Sequence, residues 1–229
     1  MDVRNLLKMF NKGEERQRGT PWGSGLVANE IDDMIAAGMG RIMTVGAFSS
    51  GVGGGAAAII DIDQPQFVVG VPAGHAIRPI RLAAQLQAGL IAADDDENEI
   101  LFAVDSLGLW SEDGTRTAET PSNMRSDLAK GSACKCASAF SADMTTTPNG
   151  AAAADPVLDI ELARVVERVD ITTAAGLLLQ RLDLVYEPRH PPLLVGPCTL
   201  IGYWGGTVEP GGGFAQAAWV EGRVADFYQ

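Results

Sequence analysis

Residues Gly176 to Glu221 read GLLLQRLDLVYEPRHPPLLVGPCTLIGYWGGTVEPGGGFAQAAWVE, and the fold class follows from this stretch. Leu182, Leu184 and Tyr186 alternate with Arg181, Asp183 and Glu187, the period of two that a half-buried strand requires. Pro188, Pro191 and Pro192 then stop the run, because proline cannot donate to an interior ladder. Leu200-Ile-Gly-Tyr-Trp204 is a second apolar run, glycines punctuate the next turn, and Phe214 to Val220 alternates again. Three short strands separated by turn chemistry, with no room for a helix between them, predict antiparallel sheet. Leu182, Leu184, Leu200 and Phe214 are its expected core residues.

Working outward, Gln66 to Gln87 predicts a strand at Phe67-Val-Val69, a turn at Val71-Pro-Ala-Gly74 and a longer strand from Ile77. In that longer strand Arg78, Ile80, Leu82 and Leu86 share one face, with Arg81, Gln85 and Gln87 opposite. Ile100-Leu-Phe-Ala-Val-Asp105 predicts another strand, and the two together suggest a hairpin. The acidic run Asp94 to Glu99 between them lacks the ligand spacing and central glycine of an EF-hand. It reads as a solvated hairpin tip, with a weak calcium site at a subunit contact as the alternative. Ala28 to Gly40 fits a short helix with Ile31, Met34 and Ile35 on one face, followed by a strand over Arg41 to Phe48. Asp159 to Ile171 supports neither period cleanly, and its β-branched content favours strand. Leu109 to Pro156 is the least regular third, rich in Ser, Thr, Asp, Ala and Gly, and predicts surface excursions with short strands near Ala133 to Ser141.

Residues 1–20 differ from the rest. Val3, Leu6, Leu7 and Phe10 form one stripe of a short helix, and Gly19-Thr-Pro-Trp-Gly ends it. The expected organisation is therefore an N-terminal arm over 1–20 and one domain over 21–229. The arm either packs on the body or docks on a neighbouring subunit or a membrane surface. The chain's 229 residues and 46% apolar content suffice for one large all-β domain. A net charge of −12 argues against a sequence-specific nucleic-acid binder, which needs clustered Lys and Arg. No run of eighteen apolar residues is present, and the start lacks the basic-then-apolar pattern of a secretory signal. Three cysteines, two of them flanking Lys135, make no disulfide framework.

Chemistry-bearing motifs are scarce. Gly51-Val-Gly-Gly-Gly-Ala56 matches the dinucleotide fingerprint formally, but a strand rather than a helix is expected next, and no acid lies between Gln64 and Ile91. Cys134-Lys-Cys136 would put two thiols on one strand face. A zinc site would need His75, His190 or Cys198 to converge on them. His75 follows a turn glycine and His190 sits among prolines, so neither marks a triad. No catalytic, cofactor-binding or metal-binding residues are expected, and no enzyme.

Three stretches carry a resemblance: FVVGVPAGHAIRPIRLAAQLQAG from Phe67, EILFAVDSLGLW from Glu99, and PPLLVGPCTLIGYWGGTVEPGGGFAQAAWVE from Pro191. Their rhythm resembles that of viral single jelly-roll capsid proteins of the small icosahedral bacteriophage type. There, too, the closing strands follow a proline-bounded crossover and end on an aromatic shortly before an acid, as at Trp219-Val-Glu221. The resemblance implies an all-β, antiparallel β-sandwich with a single jelly roll and a short N-terminal helical arm. It implies a structural virion protein whose partners are copies of itself and other capsid proteins. The alternative from a different class is a carbohydrate- or receptor-binding jelly-roll module such as a trimeric fibre head. Exposed tryptophans gathered in one groove would favour that alternative, and Trp22, Trp110, Trp204 and Trp219 are the candidates.

Overall fold

The computed structural model describes residues 16–19, 25–28, 30–46, 60–87, 96–129, 131–148, 151–169, 181–206 and 212–228. In chain order these form β1 (Arg16–Gly19), β2 (Gly25–Ala28), helix α1 (Glu30–Ala36), β3 (Gly40–Val45), β4 (Phe67–Val71), β5 (His75–Gln87), β6 (Asp96–Asp105), β7 (Gly108–Trp110) and β8 (Thr117–Glu119). There follow β9 (Ser122–Asn123), β10 (Lys135–Ser138), β11 (Thr146–Pro148), β12 (Ile160–Val169), β13 (Arg181–Tyr186), β14 (Leu194–Val195), β15 (Cys198–Gly206), β16 (Gly212–Arg223) and a 3-10 turn at Val224–Phe227.

The chain is an antiparallel β-sandwich, as its sequence predicts. One sheet runs β13-β5-β16-β3-β9, with β14 added to β5, and the other runs β12-β6-β15-β4-β10-β8. Eight strands carry it: β3, β4, β5, β6, β12, β13, β15 and β16. They pair in a nested way: β6 with β12, β5 with β13, β4 with β15, and β3 with β16. Everything between β6 and β12 is an insertion, which supplies β7 to β11. The strands β8 and β10 extend one sheet, and β9 extends the other.

The main core lies between the sheets. Phe67, Phe102, Leu200 and Trp204 on one side meet Ile77, Leu82, Leu86, Leu182 and Trp219 on the other. Strands β4, β6 and β15 are apolar on both faces because their second face is also covered. Val68, Leu101, Ala103, Ile201 and Tyr203 pack there against Trp110, Phe140 and Met144 of the insertion. The expectation of a mere surface excursion over Leu109 to Pro156 is thereby corrected: the segment closes a second core. On the outer face of the other sheet, Met34 of α1 and Phe227 cover Ala76 and Val220. Three acids in the first turn of α1 suit its positive end.

Three further expectations change. β5 and β6 are not a hairpin, since they lie in different sheets. Likewise the chain crosses from one sheet to the other and back through β13, β15 and β16. The expected face of β5 breaks at a register irregularity opposite Ala218/Trp219. Ile77 and Leu82 therefore both point inward, while Arg78 points outward over the Phe227 ring, 5.5 Å from its centroid. Leu182 and Leu200 are buried and Leu184 packs against the core from the edge. Phe214 alternates with the inward-facing Ala215 and Ala217, so it lies on the outer face, half-buried.

Gly202 of β15 is opposite Phe67 of β4. The space its absent side chain leaves is filled by the Phe67 ring, which is tilted against Phe102 and Trp204 at 6.1 and 6.5 Å between centroids. A methyl at Gly202 would overlap that ring, and its aromatic neighbours leave it no room to withdraw. Gly202→Ala should therefore destabilise by about 1–3 kcal/mol, read as a lower urea midpoint with an unchanged slope. An unshifted midpoint would mean the aromatic cluster repacks freely.

Candidate functional site

The root of the insertion is organised by one carboxylate. Asp105 ends β6, where the pattern Asp-Ser-Leu-Gly favours a turn in which the side chain accepts from the following backbone. It is 2% exposed. Its Oδ1 accepts from the Gly108 and Leu107 amides at 2.7 and 3.2 Å, and its Oδ2 from Thr146 Oγ1 at 2.6 Å and the Val157 amide at 3.2 Å. The outgoing and returning chains are thus held by the same group. Beside it, Asp159 accepts from the Ser106 amide at 2.8 Å and from the Ser106 hydroxyl. Burial alone would raise the Asp159 carboxyl, but the two Ser106 bonds outweigh it and hold it low. Leu107 and Val157, whose amides Asp105 fixes, are 70% and 63% exposed, and Ile160 next to them is 38% exposed. Two apolar side chains, Leu107 and Val157, are therefore held in water at the end of the sandwich by polar contacts to their backbone.

The far end of the insertion is fastened by a second carboxylate. Alternation along β16 turns Glu221 inward after Trp219, and it is 6% exposed. Arg41 Nε of β3 forms an ion pair with Oε1 at 3.0 Å, and Oε1 accepts a hydrogen bond from the Ala133 amide at 3.1 Å. Oε2 accepts from Trp219 Nε1 at 3.2 Å and from the Ser132 hydroxyl. Next to this clasp is a cavity of about 300 Å³ lined by Trp110, Glu112, Arg116, Glu119, Ser132 and Lys135, among others. Several of its polar groups engage one another or the backbone, although the buried Arg116 Nε has no hydrogen-bond partner. Arg116 stacks on Trp110 at 4.8 Å and donates to the Gly114 carbonyl at 2.9 Å. Glu119 accepts from Ser138, and Lys135 faces Glu112 at 3.9 Å.

Cys134, Cys136 and Cys198 all lie in the main core as free thiols. Burial pushes each thiol up, aided by the Glu221 charge at Cys134 and Cys136; Cys198, near Asp105, reaches about 12. They are protonated at neutral pH, which is not the state of a nucleophile or a metal ligand. A thiol that stays neutral when folded but ionises near 8.5 when unfolded contributes stability that is complete below about pH 8.5 and is lost as pH rises toward 12. We expect no reaction with a thiol reagent at pH 8 until denaturant is added, and then reaction of all three cysteines. Rapid labelling of the folded protein would contradict the burial.

His75 opens β5, and His190 is exposed among its prolines. Among the described residues, no group of three or more His, Cys, Asp and Glu is placed to hold a metal ion. Residues 96–99 belong to β6 rather than to a turn, and the Glu99 carboxylate pairs with Arg164 at 2.6 Å. Asp94 and Asp95, the Val3–Phe10 stripe, Gly51–Ala56 and Trp22 lie outside the described residues. Trp110, Trp204 and Trp219 are all buried and form no exposed groove. No described helix is long and apolar enough to cross a membrane.

Three of the four sheet edges are guarded, the exception being β13. The sheets end on one side in β8 and β9, of three and two residues. On the other side β12 carries an irregularity at Glu161/Ala163, and its Arg164 is bonded to Glu161 at 2.9 Å. Short, bulged and charged edges resist strand addition. Sequence reasoning missed Asp105 and Glu221, although the turn pattern and the alternation each marked one of them. No protein-family model matches the chain, and no curated protein or solved structure matches it significantly.

Proposed function

We propose that this chain is a structural virion protein: a single jelly roll that self-assembles into an icosahedral shell. The strand order carries the reading. Numbering the eight principal strands one to eight, the sheets run six-three-eight-one and five-four-seven-two. That order is what two Greek keys rolled together produce, and the jelly roll is shared by capsid and lectin domains. The step from fold to shell is an analogy at the level of the fold. Its support is the outward-held Leu107 and Val157, and an insertion tied at both ends, so that the subunit can present fixed surfaces to neighbours. The buried tryptophans give the carbohydrate-binding alternative no such support. The partners on this reading are copies of the chain and other capsid proteins, with residues 1–20 as an arm toward a neighbour or an internal membrane, and the location is the virion.

Electron microscopy and light scattering of the purified protein across a salt series test it. Subunits of charge −12 repel over roughly 30 Å at 0.01 M salt but over about 8 Å at 0.15 M. Apolar contacts do not weaken with salt. Regular closed particles should therefore form more readily as salt rises. A protein that remains monomeric at every salt concentration would overturn the shell reading.

A further inference from the structure

We draw no further inference here: the strongest candidate, the exposed apolar side chains of Leu107 and Val157 where the insertion joins the end of the sandwich, is held outward by Asp105, but nothing in the structure shows what covers it.

Discussion

Asp105→Ala should cost about 3–5 kcal/mol, the range of a large core truncation. Four donors share the carboxylate: three amides and the Thr146 hydroxyl. A buried donor stripped of its acceptor costs about 1–3 kcal/mol. Gly108 and Thr146 are buried and incur that penalty in full, whereas water can reach the amides of the exposed Leu107 and Val157. Asp105→Asn keeps the volume and one acceptor but turns an amide N–H₂ toward donors, so its loss should fall between wild type and alanine. Asp159→Ala, which removes two bonds at an exposed site, should cost under about 1 kcal/mol. Urea midpoints of the three variants provide the comparison. If Asp105→Ala and Asp159→Ala prove equally mild, water replaces the carboxylate and the root is not what holds the insertion.

The second large effect belongs to Glu221. Its removal leaves the Arg41 guanidinium, 16% exposed, without a counter-charge. Breaking a buried pair in this way costs about 3–5 kcal/mol, whereas replacing both members by apolar residues is often neutral. Glu221→Ala and Arg41→Ala should each be severe, and Glu221→Leu with Arg41→Met should recover only part of the loss, because Trp219 Nε1, Ser132 and the Ala133 amide still lack their acceptor. The coupling between the two sites, of about 0.5–3 kcal/mol, is the direct reading of the interaction. Arg41 also donates to the Gly38 and Gly40 carbonyls at 2.7 and 3.0 Å, so its variant tests more than the ion pair. Hydrogen exchange over residues 131–138 separates the clasp from general stability. Those amides should open faster in Glu221→Gln even where the global midpoint barely moves. Unchanged exchange there would assign the fastening of the insertion to the β4–β10 ladder alone.

Much of the architecture was legible because burial writes itself into side-chain period. Arg181 to Tyr186 alternates, and its strand has one wet face. Phe67-Val-Val-Gly-Val71 and Ile100 to Val104 do not alternate, and their strands are covered on both faces. Glu30 to Ala36 and Ile160 to Val169 took their expected states. Sheet membership was not legible: antiparallel strands that follow one another in sequence can be neighbours or can face each other across a core, and local pattern is the same in both cases. The slip in β5 was hidden for a related reason, since an irregularity changes which residues point inward without changing their identity. Glu221 shows the limit from the other side. Its position after Trp219 marked it as inward-facing, but only the folded chain brings Arg41, Ser132 and Ala133 to it.

The nested pairing has a kinetic consequence. Val45 meets Ala215, a loop whose closure in an unfolded chain costs entropy that grows with its length, and such distant contacts slow folding. Nesting removes most of that cost if closure proceeds from the inside outward. Once Asp105 gathers the two ends of the insertion, β6 and β12 are already side by side, and their pairing brings β5 toward β13. That in turn shortens the effective loops for β4 with β15 and β3 with β16. The residue at the centre of the nest, rather than either end of the chain, then sets where folding begins.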